Sequence, residues 1–216
     1  MLAVFGYAML KDGRRQCKDT ILIDFDGVLR HWVGSEVNDA ERTLGLASGT
    51  LFSLAFSHEL LFPAITGEVT HEQWHERVKS KLVQRHTDEV ASKLIKAWNE
   101  ASWEIDFELL HSLKQLAPTC QYVLVTNATS RLDADLQRAS LRSAFNVVVN
   151  SSQIGVTKPD RLFFYQALSI ADSQVCRSVF IDDSLDNVNA ARSIGIESIH
   201  YQNVADTLEF IRKQCT

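Results

Sequence analysis

Proline is scarce in this 216-residue chain, which has three. No linker, repeat or low-complexity tract interrupts it, so a compact protein is expected, one domain or one domain with an inserted lobe. Cysteine is sparse as well. Cys17, Cys120, Cys176 and Cys215 form no C-x-x-C pair and no framework spacing, which excludes a disulfide-stapled scaffold. They read as reduced thiols in a cytoplasmic protein, with Cys120 and Cys176, each just ahead of an apolar run, expected as buried small hydrophobes. A long apolar run is missing too. The opening MLAVFGYAMLKDGRR is too short to span a bilayer, which needs about 20 apolar residues. Its Lys11, Arg14 and Arg15 follow the apolar part, whereas a secretory signal carries its positive charge ahead of it. A short extra strand or a loose arm is expected there. Excess positive charge is the last absence: 22 Lys and Arg stand against 27 Asp and Glu, net −5. That excludes a broad basic surface for nucleic acid, though not a local pocket for one phosphate. No membrane partner is expected, and the oligomeric state is not legible.

What is present is a chain 45% hydrophobic and 23% charged, long enough to bury a sizeable core. Four short apolar runs, Ile21–Phe25, Tyr122–Thr126, Val147–Asn150 and Ser178–Ile181, have the uncharged character of strands covered on both faces. Ile196–His200 is a fifth candidate. Between the later runs lie helical patterns. Arg131–Arg142 places Leu132, Leu136 and Ala139 at helical spacing. Pro159–Ile170 opens with proline in its first turn and is expected to bury Leu162, Phe163 and Leu168. Ser184–Ile194 has a capping serine and Gly195 just past its end. This alternation predicts an α/β fold with a parallel sheet between helices. Residues 30–103 carry no convincing strand but do carry amphipathic stretches over Thr70–Val83 and Asp88–Trp98. They are expected to form an all-helical insert after the first strand, with residues 1–29 and 104–216 forming the core.

In an open parallel sheet, ligands bind beyond the carboxyl ends of the strands. The first strand ends Asp24-Phe25-Asp26-Gly27. Residues two apart face the same way, so both carboxylates point into one site, where a cation or proton must compensate them. The second strand ends Thr126-Asn127, a hydroxyl and a backbone N–H suited to cradle an anion. Lys158, ahead of Pro159, offers a compact positive charge for a phosphate oxygen. The fourth strand ends Asp182-Asp183-Ser184, bringing two more hard oxygen ligands of the kind that suit Mg²⁺.

The order DFDGVL, then a strand ending TN, then KP, then IDDS…NVNAARSIGI resembles the four motifs of the haloacid dehalogenase (HAD) superfamily. The match runs from about Thr20 to Gly195, and the insert stands where that superfamily's subfamily I carries its helical C1-type cap. Phe62-Pro63-Ala64-Ile65-Thr66-Gly67-Glu68-Val69-Thr70 also looks like the cap of the small-molecule phosphatase branch. The resemblance implies a HAD-like Rossmannoid core and a Mg²⁺-dependent hydrolase, a phosphatase acting on a small phosphate monoester such as a sugar phosphate or nucleotide. Asp24 would be the nucleophile, ionised at neutral pH without tuning, and would form an aspartyl-phosphate. Asp26 would be general acid and then base, which requires a proton on it in the substrate complex. Thr126, Asn127 and Lys158 would bind phosphate. Asp24, the Asp26 carbonyl and Asp183 would hold the metal, with Asp182 bonded to Lys158 or to a metal-bound water.

Haloacid dehalogenases lack the acid two residues after the nucleophile, so Asp26 favours phosphoryl transfer over halide displacement. A phosphomutase or a non-catalytic phosphate-ligand binding protein could use the same core. Arg30, His31 and Trp32, just after the nucleophile loop, are candidate specificity residues. One competing motif stands in the insert: His71-Glu72-Gln73-Trp74-His75 matches the zinc-peptidase pattern, with Asn99-Glu100 downstream. The charged Glu76 after it, and Glu68, Arg77 and Lys79 around it, instead fit a solvated helix with Trp74 and Val78 turned inward.

Overall fold

The computed structural model describes residues 18–215. The N-terminal apolar stretch and Cys17 lie outside the described residues. In chain order the elements are β1 (Thr20–Ile23), β2 (Arg30–Trp32), α1 (Glu36–Thr43), α2 (Thr50–Ala55), α3 (His58–Ile65), α4 (His71–Val83), α5 (Asp88–Asn99) and β3 (Trp103–Ile105). They continue with α6 (Phe107–Leu116), β4 (Gln121–Thr126), α7 (Leu132–Arg138), β5 (Val147–Asn150), α8 (Ser151–Ile154), α9 (Arg161–Ile170), β6 (Ser178–Asp182), α10 (Leu185–Ser193), β7 (Glu197–His200) and α11 (Val204–Cys215).

The large sheet has the order β5-β4-β1-β6-β7, and every pair in it is parallel. Strand alternation divides its side chains between two helical layers. Ile21 and Ile23 point to one side, where they pack with Leu109 and Leu113 of α6, Leu132 and Leu136 of α7 and Ile211 of α11. Leu22 points to the other, among Phe163, Phe164 and Leu168 of α9 and Ala191 of α10. All of these are at most 4% exposed, which is why β1 tolerates no charge before Asp24. The chain moves outward from β1 to β4 and β5, then returns to the opposite side with β6 and β7. The strand order therefore reverses between β1 and β6, and the crevice at that point is where such sheets take their ligands.

Residues between β1 and α6 build a helical lobe with its own apolar cluster, centred on Leu51, Trp74, Val78, Leu82 and Leu94. Helix α4 starts where Thr70 and Gln73 form a reciprocal capping box. Glu41, only 1% exposed, accepts from the Gly49 and Leu51 amides and so satisfies donors at the start of α2. Contrary to the strand-free reading of the insert, β2 and β3 pair antiparallel, with Trp32 opposite Trp103.

Smaller departures have local causes. Asp160, not Pro159, caps α9: its side chain accepts from the Leu162 amide, and Pro159 sits outside the helix. Leu162 is 48% exposed while Phe163 and Phe164 are fully buried, because the inward face begins one position later. Helix α7 ends at Arg138 and a short 3₁₀ turn covers Arg142–Ala144. Ser184 precedes α10 without a side-chain cap; its amide donates instead to Asp182 Oδ1 at 2.8 Å. Cys120 and Cys215 are buried, whereas Cys176 is exposed.

Candidate active site

The carboxyl ends of β1, β4 and β6 and the segment ahead of α9 meet around one ammonium. Lys158 Nζ lies 2.8 Å from Asp24 Oδ1 and 2.7 Å from Asp182 Oδ2, and donates to the Val125 carbonyl at 3.0 Å. Burial disfavours its charge, but the two carboxylates outweigh burial and hold the ammonium above the ordinary lysine value. Asp182 is fully buried and also accepts from Asn187 Nδ2. Together with Asp24 it holds the Lys158 ammonium in place.

Asp24 differs from the sequence expectation. Burial, joined by the charge of Asp182, overcomes Lys158 and the Phe25 amide and pushes its acid up to about 7. A strand-end aspartate inside a parallel sheet has lost the water that would keep it ionised. Asp183 stands at the mouth, with its acid raised by partial burial and by Asp182. Carboxylate oxygens of Asp24, Asp182 and Asp183 lie within 4.8 Å of one another, the one such group among the described residues. Three acids face one lysine, so the cluster has more negative charge than it can neutralise. An all-oxygen set with that excess fits Mg²⁺. Gly27 makes room for it: its φ is +85°, and a Cβ there would stand 2.1 Å from Asp183 Oδ2.

The remaining predicted residues fall around this group. Thr126 ends β4 at 1% exposure. The Asn127 side chain is committed elsewhere: its Nδ2 donates to the Lys158 carbonyl at 2.8 Å and its Oδ1 accepts from the Lys158 amide at 2.9 Å. Its amide group thus positions the lysine, which leaves its backbone N–H as the part free to meet an anion. Asp26 accepts from Arg30 Nε and Nη2, both at 2.7 Å, and from Trp32 Nε1 at 3.1 Å. Arg30 is 6% exposed and is held from behind by Asp135 Oδ2 at 2.8 Å. Its guanidinium also lies over the Phe25 ring. His31 pairs with Glu104 across β2–β3 and stays apart from this cluster.

Sequence reasoning missed Asp135, Arg131 and the role of His71. Arg131 bonds Asp135 at 3.2 Å and approaches His71 Nε2 at 3.3 Å, while His71 Nδ1 lies 3.0 Å from Thr129 Oγ1. The His71 amide donates to Ser130 Oγ. The first histidine of the H-E-x-x-H pattern therefore docks the lobe onto the loop after β4. The second, His75, stacks on Trp98 with ring centroids 4.0 Å apart. Trp74 and Val78 are buried as expected, and Glu100 faces Lys96. A cavity of about 570 Å³ lies between lobe and sheet, with Asp26, Arg30 and Asn127 among its lining residues. Among the described residues no helix is long and apolar enough to cross a membrane.

Known proteins share this fold and part of this sequence. The chain is 28% identical over 182 residues to the drimenol cyclase drtB of Aspergillus calidoustus, covering 83% of this chain but a third of the cyclase. It is 28% identical over 199 residues to the haloacid dehalogenase-like hydrolase domain-containing protein 3 of Bos taurus, covering 84% of this chain and 77% of that one. A HAD family enzyme from Bacteroides thetaiotaomicron, solved with magnesium and inorganic phosphate, shares the fold with a TM-score of 0.69 at 18% identity, over 86% of this chain and 94% of its own. The model of the haloacid dehalogenase-like hydrolase family matches residues 21–201, and the chain belongs to that family.

Proposed function

We propose that this hydrolase is a Mg²⁺-dependent phosphatase that cleaves a phosphate monoester through an aspartyl-phosphate on Asp24. The observation that carries the reading is the convergence of Asp24, Lys158, Asp182 and Asp183 at the sheet's switch point. The magnesium and phosphate bound by the Bacteroides enzyme support it.

Asp24, the Asp26 main-chain carbonyl and Asp183 would hold Mg²⁺, which supplies the positive charge that lets a carboxylate approach a phosphate dianion. Lys158 orients Asp24 and neutralises a phosphoryl oxygen, with the Thr126 hydroxyl and the Asn127 N–H on the other oxygens. Asp24 attacks phosphorus as the ester P–O bond breaks, and Asp26 gives its proton to the departing alkoxide. Both Asp26 oxygens accept from Arg30 in this structure, so Asp26 takes up that proton from water as it exchanges a bond with Arg30 for one with substrate. Water then attacks the acyl phosphate and returns a proton to Asp26, and phosphate leaves with Asp24 restored. The helical lobe, residues 30–103, acts as the cap that closes on the Thr129–Arg131 loop through His71 and keeps bulk water out.

The test is phosphate release from p-nitrophenyl phosphate with Mg²⁺ and with EDTA, beside Asp24→Asn. Release that needs Mg²⁺ and vanishes in the variant is expected. Equal release by the variant would overturn the assignment.

A further inference from the structure

We infer that the chamber between lobe and sheet is a binding site for the hydrocarbon part of the substrate, so that the ester cleaved is the phosphate of an apolar alcohol of about ten to fifteen carbons. The inference rests on the phosphatase reading for the headgroup and on the chamber for the tail.

All four tryptophans of the chain, Trp32, Trp74, Trp98 and Trp103, line this one space. Phe52, Phe56, Leu61 and Ile65 add to the wall contributed by the lobe helices. Phe56 and Trp98 meet edge to face with centroids 6.5 Å apart, and Phe56 is 52% exposed. A large apolar side chain left open within a cavity marks a surface awaiting a ligand. Much of the rest of the wall is polar and charged, with Asp26, Arg30, Asn127, Arg131, Asp135 and Arg138 lining it.

A sugar or nucleotide would bring several hydroxyl or ring-nitrogen groups needing partners. Glu36 accepts from Ser102 at Oε1, with Oε2 buried without a partner, and His71 is bonded to Thr129. Asn38, Asn99 and His75 are the polar side chains that remain on the lobe wall, too few and too scattered for a polyol. The His75 ring is turned flat against Trp98, and its Nε2 is buried without a partner. An apolar tail brings no donor or acceptor of its own that needs a partner. The size agrees. An apolar cavity of about 150 Å³ holds one benzene, so about 570 Å³ has room for a tail of this length beside a headgroup.

The probes are octylphosphonate and methylphosphonate, below micellar concentration, titrated against the full protein with Mg²⁺ and read by tryptophan fluorescence. Octylphosphonate should bind on the order of 100-fold tighter than methylphosphonate, since removing about half of its seven extra carbons from water already supplies that factor. Phe56→Asp, at a half-exposed position and checked for a native melting curve, should narrow that ratio about 10-fold. Octyl affinity within about 3-fold of methyl affinity, or glucose 6-phosphate or adenosine monophosphate binding tighter than octylphosphonate, would overturn the inference. Octyl preference without turnover of any ester supports the chamber and removes the phosphatase reading. Turnover of p-nitrophenyl phosphate without octyl preference keeps the phosphatase and removes the chamber.

Discussion

Replacing Asp24 by asparagine should stabilise the metal-free protein at alkaline pH while it abolishes turnover. Burial, with Asp182, raises the Asp24 acid from 3.8 to about 7 despite Lys158. An acid raised on folding binds its proton more tightly in the native state than in the unfolded chain. Stability is then greatest below the unfolded value and falls as pH climbs from about 4 to about 7. At roughly 1.4 kcal/mol per pH unit, the whole interval amounts to about 4 kcal/mol. The titration is shared among Asp24, Lys158 and Asp182, so we expect a neutral amide to recover about half, ~2 kcal/mol. For a chain of this length that is about 4–8 °C in Tm. Thermal melts of wild type and Asp24→Asn in EDTA, at pH 8 and pH 4.5, read the difference directly. The variant should melt higher at pH 8, and the gain should shrink below about 1 kcal/mol at pH 4.5. Mg²⁺ at pH 8 should then raise wild type far more than the variant, because the cation binds the carboxylate and not the amide. A variant less stable at pH 8, or a difference that does not change with pH, would refute the electrostatic account.

Three further outcomes follow from the geometry. Gly27→Ala forces a side chain into a left-handed turn and onto Asp183; a loss of about 1–3 kcal/mol and weaker Mg²⁺ binding by calorimetry are expected, and unaltered binding would show that Asp183 is not set by this contact. Asp135→Ala removes the inner partner of buried Arg30. About 2–4 kcal/mol should be lost in urea unfolding, with kcat reduced more than KM changes as Asp26 loses its brace; Asp135→Asn should restore part of both. Burial, with His71 and Arg131, lowers His75 to about 4, so its contribution is present above the unfolded value of 6.5 and is lost as pH falls toward 4. The ring is only half-buried, so after screening His75→Gln should flatten urea stability between pH 7 and 4.5 by only about 1 kcal/mol, and an unchanged slope would count against it.

The strand-end residues were legible in the sequence because each follows its own apolar run, and a parallel sheet gathers those ends on one edge. Thus Asp24, Thr126 and Asp182 group from the sequence alone, with Lys158 joined to them by its place just ahead of a helix. The support behind them was not legible. Arg30 and Asp135 are separated by 105 positions, and nothing local in either segment signals the pair. The sequence reading gives the Asn127 N–H to an anion, but that its side chain bonds the Lys158 backbone through both Nδ2 and Oδ1 is a cross-loop contact that no spacing rule reveals. The ionisation of Asp24 was misread for a related reason: a sequence shows the charge but not the depth at which it is buried. The chamber was missed because its aromatic residues come from helices and strands far apart in the chain, and each one taken singly looks like ordinary core.

The pairing of Trp32 with Trp103 bears on how this chain tolerates change. Antiparallel neighbours lie about 5 Å apart, so the helical lobe begins and ends at almost the same point, on its own two-stranded ribbon. The entropy of closing that excursion is settled at its base, and doubling the length of such a loop adds only about 0.6 kcal/mol. Insertions, deletions or wholesale exchange between β2 and β3 therefore strain the lobe's own packing and leave the register of β1, β4 and β6 alone. Substrate choice and reaction chemistry can consequently diverge at different rates within one polypeptide.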